Sequence, residues 1–185
     1  MVEVIRTAFE VQAFLIEHDW PFAFIGGVAN LAWGEVRSTV DVDASLFTSF
    51  TNEREIASTL LAHFEARHPD ALNFALQARV LLLVSSEGIG IDIGFAGFEY
   101  EKLAIERSAA LDYGKGIKLR VISPEDLIVM KAFAGRDQDW ADIGGVSRRQ
   151  GSKLDWTYIQ QNLMMLAEVT EEDSMVQRAL GYRQP

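Results

Sequence analysis

The residues that decide the reading are Phe24-Ile25-Gly26-Gly27-Val28 and, one short helix later, Arg37-Ser38-Thr39-Val40-Asp41-Val42-Asp43. Phe22 to Ile25 is a continuously apolar run of the kind a buried strand requires, and Gly26-Gly27 ends it. Val28 to Trp33 then reads as a helix with Gly34 as its stop. Thr39 to Phe47 is rich in β-favouring residues and reads as a second strand. Residues at i and i+2 of a strand project to one face, so Asp41 and Asp43 present two carboxylates side by side. Two acids held that close repel each other. A hard divalent cation such as Mg²⁺ relieves the repulsion, because it takes oxygen ligands and combines one or two carboxylates with substrate phosphates. For an isolated Asp-x-Asp, a solvated strand face is the simpler alternative.

The glycine pair bears on that choice. Glycine lets a backbone approach a ligand closely, and the helix N-terminus that follows offers unpaired N–H groups to an anion such as a triphosphate. Gly26 and Gly27 therefore predict a phosphate cradle facing the acids, where a glycine pair alone predicts only a tight turn. A third acid lies in Gly90-Ile91-Asp92-Ile93-Gly94, a strand whose other members are apolar or glycine. A carboxylate in such a strand needs a metal, a hydrogen-bonding partner or a proton. If that strand neighbours the Asp41/Asp43 strand, three carboxylates meet. Such a set suits two metal ions ~3.5 to 4 Å apart that assist an in-line displacement at phosphorus. A hairpin residue capping a backbone amide is the alternative for Asp92.

Around this centre the chain reads as a mixed βα half followed by helices. Val2 to Glu17 carries apolar residues at helical spacing, and Asp19-Trp20-Pro21 stops it. Asn52 is placed to cap a helix to about Arg67, where His68-Pro69-Asp70 breaks it. Arg79–Ser85 and Ile89–Phe95 predict a hairpin, Glu99–Ala110 a helix, and Ile117–Ile122 a short strand near a sheet edge. Ser123-Pro124-Glu125-Asp126 supplies a cap hydroxyl, proline at the first helical position and acid in the first turn, so a helix to about Phe133 is expected. Gln138–Val146, Asp155–Ala167 and Glu171–Leu180 complete an all-helical tail.

Composition bounds the answer. A chain of 185 residues with 49% hydrophobic and 24% charged residues is ordinary for a globular protein with one core, with neither repeats nor disorder. The absence of cysteine excludes disulfides, thiolate metal sites and a thiol nucleophile. Seventeen basic against 27 acidic residues give a net charge of −10, which argues against a protein that coats nucleic acid. The one concentrated basic run, Arg148-Arg149-Gln150-Gly151-Ser152-Lys153, is where an RNA phosphate contact is expected if the acceptor is RNA. His18, His63 and His68 show no ligand spacing and read as structural. With no signal-peptide pattern and no run of roughly 20 apolar residues, a cytoplasmic protein without membrane contact is expected.

The glycine pair, the Arg37-x-Thr39-x-Asp41-Val42-Asp43 segment and Asp92 together resemble the nucleotidyltransferase superfamily of the DNA polymerase beta type. Two further segments, Ser123-Pro124-Glu125-Asp126-Leu127 leading to Lys131, and Arg136-Asp137-Gln138-Asp139-Trp140-Ala141-Asp142-Ile143, resemble its AbiEii-type branch of abortive-infection and toxin-antitoxin proteins. The resemblance implies an α/β (α+β) core, a small mixed sheet flanked by helices over residues 1–122, with a C-terminal helical region over 123–185 packed on it. It also implies a Mg²⁺-dependent transfer of a nucleoside monophosphate from an NTP to an acceptor hydroxyl or phosphate. Asp41, Asp43 and Asp92 would be the catalytic metal ligands, with Asp92 drawing the acceptor's proton. Gly26, Gly27, Arg37, Lys131 and Asp139 would bind the nucleotide. Where many superfamily members carry a serine, this chain has Gly27, so the phosphate contact there falls to backbone N–H groups. The acceptor is left open between a small molecule and tRNA, and an antitoxin protein is an implied partner. A catalytically weak binding protein of the same fold and an antibiotic-type nucleotidyltransferase are the competing readings; the acidic charge suits a cationic drug.

Overall fold

Alternation of apolar and polar residues builds the centre of the fold. Val42, Ala44 and Leu46 are fully buried on one face of their strand, as are Ile91 and Ile93 on theirs, while Asp41, Asp43 and Asp92 stand on the other. The computed structural model describes residues 1–170 and 173–184. In chain order the elements are α1 (Val2–Glu17), β1 (Phe22–Phe24), α2 (Gly26–Trp33), β2 (Asp41–Phe47), α3 (Glu53–His63), β3 (Glu65–Ala66), α4 (Ala71–Ala78), β4 (Val80–Val84) and β5 (Gly90–Ala96). They continue with α5 (Glu99–Glu106), β6 (Ala109–Asp112), β7 (Lys118–Val121), α6 (Pro124–Ala134), α7 (Asp137–Gln150), a 3₁₀ turn (Gly151–Lys153), α8 (Trp156–Thr170) and α9 (Ser174–Leu180).

Among the described residues seven strands form one mixed sheet in the order β3-β4-β5-β2-β1-β7-β6. The pairs β2/β5 and β1/β7 are parallel and the remaining neighbours antiparallel. The expected α/β class and the small mixed sheet flanked by helices are what the structure shows. No helix among the described residues is long and apolar enough to cross a membrane.

The chain divides into two units, residues 1–28 with 38–122, and residues 29–37 with 123–185. The first holds the sheet. The second is built from the later part of α2 and from α6 to α9. In it α6 is buried at consecutive positions from Glu125 to Val129, a pattern with no solvent face, so its polar members need internal partners. Ser123 accepts the Asp126 amide proton at 3.1 Å, as the cap motif requires, and Tyr158 donates its hydroxyl to Asp126 at 2.7 Å. The Asp155 amide donates to Glu125 at 3.2 Å.

Several boundaries depart from the sequence expectation. The helix expected to reach Arg67 ends at His63, because Phe64 turns extended and buries its ring; Glu65–Ala66 then pairs with β4 as an edge strand. The helix α4 lies where no element was expected. The helix expected over Glu99–Ala110 stops at Glu106, and Ala109–Asp112 forms β6 instead, joined to β7 through Gly114 and Gly116, both at positive φ. The strand near Ile117–Ile122 is consequently interior, between β1 and β6, and β6 is the edge. Helix α2 begins two residues before the expected start, at Gly26, and α7 runs on to Gln150. Residues 29–37, expected in the first unit, belong to the second. The expected start of the last helix, Glu171, lies outside the described residues.

Candidate active site

The register of the sheet brings the three acids together. Parallel pairing of β2 with β5 sets Asp43 directly beside Asp92 and Asp41 beside Gly90, so the carboxylates share one face of adjacent strands about 4.8 Å apart. On the other side of β2 the Ile25 amide donates to the Asp43 carbonyl at 3.0 Å, which fixes the glycine turn next to the same acids. Gly26 has φ +51°, a conformation open to glycine at little cost. A Cβ there would lie 2.1 Å from Asp43 Oδ2. The Gly27 amide points at the same oxygen, at 3.4 Å, and a Cβ on Gly27 would lie 2.1 Å from Thr39 Oγ1. Buried Thr39 in turn donates its hydroxyl towards Asp41 Oδ1, at 3.3 Å. Both glycines are thus required by the closeness of the turn to the acids.

Asp92 has a cationic partner that sequence reasoning did not foresee. Arg67, just beyond β3, ion-pairs through Nη2 with Asp92 Oδ1, while its Nε donates to the Leu83 carbonyl at 2.8 Å. Burial pushes the Asp92 carboxyl up and the Asp41 charge adds to the effect; the Arg67 guanidinium opposes both without cancelling them. Nothing in the local sequence marked Arg67, because its place in the site depends on β3 pairing with β4.

The donor set is oxygen only, which is the chemistry of a hard divalent cation, and Asp41 with Asp43 matches the one or two carboxylates such ions take alongside phosphates. Among the described residues, no group of three or more His, Cys, Asp or Glu side chains closes to metal-holding geometry. Asp41 and Asp43 are the pair that would hold such an ion, beside Asp92 on the neighbouring strand.

Lys131, Asp139 and Arg37 lie together in the second unit. Lys131 Nζ is buried, 3.0 Å from Asp139 Oδ1 and 2.7 Å from Asp142 Oδ2. Arg37 forks onto both Asp142 oxygens at 2.9 Å, and Arg136 Nε donates to Asp139 at 2.6 Å. Burial works to raise the carboxyl of Asp139, but hydrogen bonds and charge from Arg136 and Lys131 outweigh it and hold it below the usual range. Asp142 is held low against the same effect by Arg37, Lys131 and Gln138. In the basic run, Arg148 pairs with Glu35, Arg149 donates to the Gly34 carbonyl at 2.7 Å and Gln150 to that of Trp33 at 2.8 Å. His18 and His63 pack against Phe14 with tilted rings, and His68 stacks on Phe74.

Residues 5–180 match the family described as nucleotidyl transferase of unknown function (DUF2204). The chain belongs to that family. Its fold is shared with solved nucleotidyltransferase-like structures. An antigenic nucleotidyltransferase-like protein from Paracoccidioides brasiliensis superposes with a TM-score of 0.52 at 15% identity, covering 99% of this chain and 94% of that one. The antibiotic-resistance factor ANT(2'')-Ia superposes with a TM-score of 0.59, also at 15% identity, over 90% of this chain and 91% of its own. No curated protein matches the sequence.

Three outcomes are expected. Gly26→Ala forces an L-residue into the left-handed region, at about 1–2 kcal/mol, and adds the collision with Asp43; urea unfolding should show a loss of at least that size. Gly94→Ala, whose new Cβ meets only the Ala44 carbonyl at 3.7 Å, should leave stability nearly unchanged. The depressed Asp139 and Asp142 contribute stability that is present above the unfolded carboxyl value of about 3.9 and is lost as pH falls through their lower folded values. Thermal unfolding from pH 6 to 2 should therefore fall less steeply in Asp139→Asn than in the wild type.

Proposed function

We propose that the protein transfers a nucleoside monophosphate from an NTP to the hydroxyl of a small acceptor, with Mg²⁺ at Asp41 and Asp43. The observation that carries this reading is the register that sets Asp43 beside Asp92 with the glycine turn against both. When bound, the divalent cation supplies electrostatic stabilisation of the phosphates and of the leaving group. Asp41 and Asp43 hold it, and the backbone N–H groups at Gly26 and Gly27, at the start of α2, receive the triphosphate. Asp92 takes the proton of the acceptor hydroxyl at Oδ2. The acceptor oxygen then forms its bond to the α-phosphorus as the bond from that phosphorus to the bridging oxygen breaks and pyrophosphate leaves. A carboxyl raised by burial is a better proton acceptor than an ordinary one, which suits Asp92 to this role.

Arg37, Lys131 and Asp139 take a different part here from the nucleotide contacts expected of them: with Asp142 they form the charged core of the second unit. The segments behind the toxin resemblance cap α6 and supply that same core, so an architectural demand accounts for them and the reading includes neither a toxin role nor an antitoxin. A small acceptor is favoured over tRNA because the net charge is −10 and the arginines of the basic run are engaged within their own unit. Similarity in fold to a named antibiotic-resistance factor points the same way.

Calorimetry with ATP, GTP, CTP and UTP in Mg²⁺ should give metal-dependent binding of at least one nucleotide by the wild type and loss of it in Asp43→Asn. Equal binding by both proteins contradicts the reading. With α-labelled NTPs, label should pass to a hydroxylated small molecule such as an aminoglycoside and not to tRNA, and the transfer should be absent in Asp92→Asn.

A further inference from the structure

Arg67 belongs to this site, and we propose that its guanidinium is the resident counter-ion of the carboxylate cluster, which a divalent cation must displace from Asp92. The inference rests on reading Asp41, Asp43 and Asp92 as the cation-binding acids. Three observations carry it. First, the arginine is anchored for the purpose. Its backbone N–H donates to the Leu82 carbonyl at 3.0 Å and its Nε to the Leu83 carbonyl at 2.8 Å, so β4 holds the side chain while Nη2 reaches Asp92 Oδ1. Second, the guanidinium lies over the strand that carries Asp92. Gly90 is the register partner of Asp41, and a Cβ at Gly90 would be in ordinary contact with both residues, 3.4 Å from Arg67 Cζ and 3.6 Å from Asp41 Cβ. Third, Arg67 is the cation paired with Asp92 among the described residues, and Asp92 lies beside Asp43 in register on the face that Asp41 shares.

The ion pair holds Asp92 Oδ1, and a competing cation takes Asp92 from it. Arg67 Nη2 occupies that oxygen, which a divalent ion reaching Asp92 would compete for. The consequence is an order of events at the site. Asp92 is engaged by Arg67 until a nucleotide arrives with its cation, and it becomes available to the acceptor only afterwards.

The test measures binding of Mn²⁺ alone, without nucleotide, by electron paramagnetic resonance of the free ion. Four folded proteins are compared: wild type, Arg67→Gln, Asp92→Asn and the double variant, with Arg67→Lys as a fifth that keeps the charge and loses the fork. Arg67→Gln should bind Mn²⁺ at least fivefold more tightly than the wild type, and Arg67→Lys should fall between them. In the Asp92→Asn background the same substitution should change the affinity by less than twofold. Equal tightening in both backgrounds means that Arg67 acts only as a distant charge and overturns the proposal, as does unchanged or weaker binding by Arg67→Gln. If Mn²⁺ binds to none of the five, the metal reading itself fails together with the proposal. Binding by the wild type that Arg67→Gln leaves unchanged overturns the role of Arg67 alone.

Discussion

The parallel pairing of β2 with β5 is the constraint on which the rest depends. Side chains alternate along a strand, so a slip of one residue would send Asp43 to the buried face and bring Val42 into its place. The slip is resisted by Val42, Ala44, Leu46, Ile91 and Ile93, all fully buried, whose burial at roughly 1.5–3 kcal/mol for each large side chain outweighs any gain from other arrangements. The apolar face thus sets the position of the acids. The same strand carries the antiparallel pairing to β1, and with it the glycine turn.

Charge is handled differently in the two units. In the second, Lys131, Arg37 and Arg136 meet Asp139 and Asp142 in a network whose lysine and carboxylates are buried and whose partners are all protein groups. Breaking such a network by removing one partner costs far more than the network contributes over an apolar substitute, so its members are held in place once the fold is set. In the first unit Asp92 pairs with Arg67, beside Asp43 in register and on the face that Asp41 shares.

Much of this was legible in the sequence. The Asp-x-Asp spacing gives one face by strand geometry alone, and the glycine pair after an apolar run marks the turn. The Ser123 cap and its proline fixed the start of α6 because capping is local. What escaped was decided at a distance. Glu65–Ala66 is a strand only because β4 is beside it, and Ala109–Asp112 only because β7 is; local composition favoured helix in both places. Arg67 escaped for the same reason. Lys131 illustrates the opposite difficulty: a lone charge in an apolar helix demands a partner, and its sequence does not say whether that partner is a ligand or, as here, a pair of aspartates eight and eleven positions on.

The central claim is that the face shared by Asp41, Asp43 and Asp92 is a site for a divalent cation. Its most direct test is a crystal structure of the wild-type protein grown with Mn²⁺ and a non-hydrolysable NTP, with diffraction recorded at the manganese edge. The account predicts an anomalous peak at the carboxylates of Asp41 and Asp43, with the triphosphate against the Gly26-Gly27 turn. A nucleotide and metal bound elsewhere, with these carboxylates facing only solvent and Arg67, would contradict it.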